Sequence, residues 1–169
     1  PAQVTGFIGR KKEVAEIKNV LRSYRLVTLT GSGGTGKTRL SLQVAAELLD
    51  QFPDGVWFAE LAPLTDPSLI PQTILSAFQA SEQEVKTARQ TLSERVRDRK
   101  MLLILDNREH LIESSARIAE TLLESAPSLR ILASSREALG VRGELSWHVP
   151  SMTLPDINNQ ADVESLLQC

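Results

Sequence analysis

The chain has 169 residues, enough for one domain with a sizeable core, and a formal net charge of −2, which argues against broad electrostatic binding of nucleic acid. One cysteine, Cys169, excludes an internal disulfide and a thiolate metal site and points to a cytosolic, reducing compartment; two histidines, His110 and His148, are too few and too far apart for a zinc cluster. No apolar run approaches the ~20 residues of a membrane span, and nothing resembles a signal peptide.

In chain order, "GRKKEVAEIKNVLRSY" carries Val14, Ile17, Val20, Leu21 and Tyr24 at helical intervals and predicts a first amphipathic helix. Leu26, Val27 and Leu29 follow as a buried strand. Then comes "TGSGGTGKT", in which Gly31, Gly36, Lys37 and Thr38 fit G-x-x-x-x-G-K-[ST], the phosphate-binding loop. Two apolar rows follow at helical spacing: Leu40, Val44 and Leu48, and Leu42, Ala45, Ala46 and Leu49. The motif thus lies between a strand and a helix, where its mechanism requires it.

Past "FPDG", a turn, residues 56–61 read as a second strand. Asp66 is placed to cap a helix whose first residue is Pro67 and whose apolar positions include Leu69, Ile70, Ile74 and Phe78. Residues 79–86 read as a polar surface linker and 87–99 as a charged helix. "MLLILD", residues 101–106, is a third strand, and an amphipathic helix then runs from Glu109 until Pro127 forbids more. "LRILASSRE" predicts a fourth strand and "ELSWHV" a short fifth. Apolar strands alternating with helices imply an α/β fold, a parallel sheet covered on both faces, with its site at the carboxyl ends of the strands.

That rule selects the chemistry. Main-chain N–H groups from Gly33 to Thr38, with Gly34, Thr35 and Gly36 between, can converge on a β-phosphate at the positive end of the following helix. Bulk at Gly34 or Gly36 would obstruct them. Lys37 reaches the β- and γ-phosphates, and the Thr38 hydroxyl ligates Mg²⁺. Arg39 is a further candidate phosphate contact, against a solvent-facing reading. Asp106, ending the third strand, holds Mg²⁺ through its water ligands opposite Thr38, or else merely caps the next helix. Asn107 stands where fast hydrolases often have a second carboxylate; an amide takes no proton, so it is at best a positioner of water. Glu109 is the nearest substitute base, or a partner for a helix dipole. Arg136 senses a γ-phosphate, or forms a surface ion pair with Glu137.

"GFIGRKKEV", "LVTLTGSGGTGKTRL", "LLILDNREHL", "ILASSRE" and "VPSMTLP" together resemble the ATPase module of the STAND class of P-loop proteins, closest to the NB-ARC-like module of bacterial LuxR- and SARP-type transcriptional regulators. The likeness runs from Gly6 to Pro155. It implies a three-layer P-loop NTPase fold, a five-stranded, mostly parallel sheet ordered 5-1-4-3-2, and a module over 1–155, with 156–169 opening a following helical segment. It implies ATP or ADP with Mg²⁺, and Phe7, Ile8, Gly9 and Arg10 around the base. Where the family commonly has cysteine after Asp-Asn, this chain has Arg108, a cation near the metal edge. Partners implied are other domains of a longer chain, such as winged-helix, repeat or DNA-binding domains, and a nucleotide-dependent homo-oligomer. The expected function is a slow adenine-nucleotide switch in a cytoplasmic regulator. The alternatives are an energetic AAA+-like ATPase, which Asn107 speaks against, and a P-loop scaffold for protein interaction. A small-molecule kinase lacks an arginine-rich lid, and no N-K-x-D motif supports a GTPase.

Overall fold

The computed structural model describes residues 10–79 and 86–151. Phe7, Ile8 and Gly9, most of the 79–86 linker, the boundary at 155 and the segment 156–169 lie outside the described residues.

Five strands form one sheet: β1 Leu26–Thr30, β2 Val56–Glu60, β3 Leu102–Asp106, β4 Arg130–Ser135 and β5 Glu144–His148, in the order β2-β3-β4-β1-β5. All four pairings are parallel. This is the P-loop NTPase α/β fold with the order 5-1-4-3-2 read from the opposite edge. Side-chain alternation along each strand splits the core in two. Leu103, Leu105, Ile131 and Ala133 face one layer, packed with α3 (Ile70–Ala77), α4 (Ala88–Val96) and α5 (Ile112–Ser125). Leu102, Ile104, Leu132, Val27 and Leu29 face the other, under α1 (Lys11–Ser23) and α2 (Lys37–Leu48). Central strands buried on both faces are why their sequences run apolar without alternation.

Helix starts follow local chemistry. Asp66 accepts from the Ser68 N–H, as its place before Pro67 predicts, but the turn it caps is 3₁₀ (Pro67–Leu69), and the α-helix begins at Ile70. Thr87 and Gln90 form a reciprocal capping box. The helix there ends at Val96, shorter than the 87–99 expected. Another 3₁₀ turn, Glu109–Leu111, precedes α5, so the helix expected from Glu109 starts at Ile112.

Two apolar expectations need correction. Tyr24 is the C-cap of α1 rather than part of its buried face, and is 41% exposed. On α2 the row Leu40, Val44 and Leu48 is buried with Ala45, whereas Leu42, Ala46 and Leu49 face outward. A helix lying on one sheet face buries a single stripe. Leu48 and Leu49 are chain neighbours at 2% and 57% exposure. Leu48→Ala is expected to cost about 2–5 kcal/mol in urea unfolding, and Leu49→Ala within about 0.5 kcal/mol of nothing.

Candidate nucleotide-phosphate site

The parallel register brings the site together at one edge of the sheet. Leu29 and Asp106 both pair with Ser134, so the ends of β1, β3 and β4 stand side by side. Thr30 runs into the loop 31–36, and α2 starts immediately after. Gly36, the N-cap, has φ 83°, a left-handed conformation that L side chains pay for. A Cβ at Gly36 would meet no protein atom within 4 Å, so its backbone angle, not crowding within the chain, requires glycine. Gly31 differs: a Cβ there would lie 3.2 Å from the Val149 carbonyl oxygen and 3.3 Å from Thr35 Oγ1. The first N–H groups of α2 have no intrahelical acceptor and open into the loop's concavity.

The concavity is a cavity of about 670 Å³, lined by Gly33, Gly34, Gly36, Lys37, Thr38 and Arg39 from the loop and α2. Asp106, Asn107, Arg108, Glu109 and His110 follow from the end of β3, with Ala62 after β2 and Arg136 after β4. Most of the sequence-selected residues therefore converge. Thr35 is buried beneath the loop, where its Oγ1 donates to the Ser32 carbonyl at 3.0 Å. Arg39 is exposed at the rim, compatible with either of its readings.

Lys37 Nζ folds over the loop and donates to the carbonyls of Gly31 (2.8 Å) and Ser32 (2.9 Å). Its pKa is lowered, first by burial and then by the Arg136 charge, with Asp106 acting against both. Lys37 and Arg136 thus act as two cations on one space, which is a site for an anion. Asp106 Oδ1 accepts from Thr38 Oγ1 (3.1 Å) and from Ser134 Oγ (2.7 Å). A carboxylate beside a hydroxyl, both hard oxygen donors, fits Mg²⁺ held partly by water, so these residues suit the metal the motif implies.

Several side chains do what the sequence did not announce. Asn107 is 9% exposed, and its Oδ1 accepts from Ser115 Oγ of α5 at 2.5 Å, while its Nδ2 has no partner among the described residues. Its amide is anchored to the helix behind the site. Arg136 pairs with Glu109 at 2.7 Å, not with Glu137. Arg10 is 8% exposed; its guanidinium donates to the Thr35 carbonyl at 2.8 Å and, at 3.4 Å, to that of Pro150. Arg10 does not line the cavity; its described contacts buttress the back of the loop. His110 Nε2 lies 2.7 Å from the Leu64 carbonyl oxygen and ties the turn after β3 to the loop after β2. Sequence reasoning placed Ser134 among the strand-end residues at the site but gave it no role, and it missed Ser115, His110 and Ala62. A pair of serines ending an apolar strand is the one signal that pointed to Ser134.

Fold and site define a P-loop NTPase domain. The AAA domain family matches over residues 21–141, and the chain belongs to that family. An uncharacterised Mycobacterium tuberculosis protein is 42% identical over 151 residues, covering 89% of this chain and 38% of its own length. A candidate HTH-type transcriptional regulator of the same organism is 40% identical over 140 residues, 83% of this chain and 16% of that protein. The regulatory protein AfsR of Streptomyces griseus is 30% identical over 149 residues, 80% and 15%. The chain therefore spans well under half the length of the curated relatives it matches.

Among solved structures, a STAND protein with a tetratricopeptide repeat sensor from Pyrococcus horikoshii superposes with a TM-score of 0.60 at 16% identity, covering 89% of this chain and 24% of that one. Cdc6p from Pyrobaculum aerophilum gives 0.57 at 14%, covering 86% and 47%. Both likenesses are of fold. No helix among the described residues is long and apolar enough to cross a membrane.

Ser134 offers a direct check on the site's internal bonding. Ser134→Ala removes one of two hydroxyls from a part-buried carboxylate and should lower stability by about 1.5–3 kcal/mol in urea unfolding, with Ser134→Thr recovering part of it.

Proposed function

We propose that this domain binds ADP and ATP with Mg²⁺ and works as a slow nucleotide-dependent switch within a longer, cytoplasmic regulatory protein. The observation that carries this reading is the loop itself: a left-handed glycine N-cap, a lysine folded over the concavity, and a threonine hydroxyl 3.1 Å from a strand-end carboxylate. Lys37 would leave the Gly31 and Ser32 carbonyls for the phosphates, Thr38 and Asp106 would hold the metal, and Arg39 and Arg136 lie near enough to add charge. The metal supplies charge neutralisation at the β- and γ-phosphates. Membership of the AAA domain family and the absence of an N-K-x-D motif in the sequence support adenine over guanine. Similarity to regulators of which the chain matches only a small part supports the larger setting.

Titrating labelled ADP and GDP in parallel tests the base preference. ADP is expected to bind in the micromolar range or weaker, about −8 kcal/mol at most. GDP should bind far less, and equal affinity would overturn the adenine assignment. Lys37→Ala should abolish most binding while leaving the unfolding transition in place. Asp106→Ala should weaken Mg²⁺-dependent ATP binding more than metal-free ADP binding; equal loss in both would make Asp106 structural.

Rate separates a switch from a motor. Hydrolysis at speed needs a base or a group that positions water. At the end of β3, Asn107 is an amide tied to Ser115, and the Glu109 carboxylate is paired with Arg136. Turnover is therefore expected on the scale of unassisted switch GTPases, about 10⁻³ s⁻¹, far below the ~1–100 s⁻¹ of kinases. Steady-state phosphate release measures it. Several turnovers per second would favour an energetic AAA+-like ATPase with Glu109 as its base.

A further inference from the structure

The ion pair between Arg136 Nη1 and Glu109 Oε1 crosses the site rather than decorating its exterior. Both residues line the same cavity as Lys37 and Thr38. The Arg136 guanidinium also lies against the loop: its Nη2 is 3.4 Å from where a Cβ on Gly33 would be. The pair therefore joins the turn after β3 to the residue just past β4 along the lining of the phosphate concavity.

We propose that Glu109 determines which nucleotide the site prefers, biasing it toward the diphosphate by competing with a terminal phosphate for Arg136. This rests on the nucleotide-binding reading above. Four cations line the cavity (Lys37, Arg39, Arg108 and Arg136), and two carboxylates, those of Asp106 and Glu109, face them. Asp106 is held by Thr38 and Ser134 and suits a metal. Glu109 is instead paired with Arg136. A diphosphate can use Lys37 and the helix N-terminus without disturbing that contact. A triphosphate brings a further anionic group to a cavity where Arg136 is already engaged by Glu109. To gain the arginine it must displace Glu109.

The bias is modest by its nature. Both side chains are more than half exposed, at 63% and 58%, and exposed pairs are worth little. A tilt of this size suits a domain that rests with diphosphate and is still convertible by the triphosphate.

The test is the ratio of two affinities. Wild type and the Glu109→Gln variant are titrated with ADP and with a non-hydrolysable ATP analogue, each in excess Mg²⁺, and both are repeated in an Arg136→Ala background. Glu109→Gln is expected to raise the affinity of the analogue relative to ADP by roughly 3- to 10-fold, and to leave the ratio unmoved once Arg136 is gone. A merely structural role would move both nucleotides together. A ratio unchanged by Glu109→Gln, or a change that persists without Arg136, overturns the proposal while leaving nucleotide binding intact. A wild-type protein that unfolds cooperatively yet binds neither nucleotide overturns the reading beneath it as well.

Discussion

One carboxylate oxygen holds the site together. Asp106 Oδ1 accepts from the first turn of α2 through Thr38 and from β4 through Ser134, while Asp106 itself ends β3. Three elements far apart in sequence meet at that atom. Hydroxyl donors on an ionised acceptor make stronger bonds than neutral pairs do. The arrangement exists only because Asp106 and Ser134 are register partners in a parallel ladder, side chains on the same face. A slip of either strand by one residue would turn its own side chain to the opposite layer of the core and part the two. Leu102 and Ile104 pack into one core layer and Leu103 and Leu105 into the other, so the same packing that seats the strand aims Asp106 at the α2 side.

Around this point the charges are arranged in pairs of opposite purpose. Lys37 and Arg136 reinforce each other's demand for an anion, and the carboxylates of Asp106 and Glu109 answer it in the resting chain. The loop's own carbonyls at Gly31 and Ser32 occupy the lysine. Arg10 carries a different kind of charge, buried and donating to the main-chain carbonyls of Thr35 and Pro150, which stiffens the loop from behind. The working face is therefore polar and exchangeable, and its support is buried.

The fold was largely legible because its signals are local. Glycine at 31 and 36 answers backbone angles and close approach, and apolar runs in 102–105 and 131–133 answer two-sided burial. The sheet order came from family likeness and agrees with the structure. The loop, Asp106 and Arg136 were legible for the same local reason: motif position and strand ends. What stayed hidden depends on long-range pairing. Nothing near Asn107 says that Ser115, two helical turns on, will hold its amide. Arg136 has Glu137 beside it in sequence yet pairs with Glu109, a partner brought to it by the packing of β3 against β4. The outward row of α2 looked as apolar as the inward one, and only the single sheet face beneath decides between them.

The strand order has a further consequence, in time rather than space. β1 is written near the start of the sequence but lies between β4 and β5, with Leu26 against Ile131 on one side and Glu144 on the other. It has no hydrogen-bonded neighbour in the sheet until β4 has been made, and its second edge stays open until β5 follows. Parallel pairings of such separation are slow to form, because a long loop must be closed before any contact rewards it. During synthesis β1 waits for β4 with both edges open, a state exposed to wrong pairing. The loop that follows β1 is thus encoded early and made firm late.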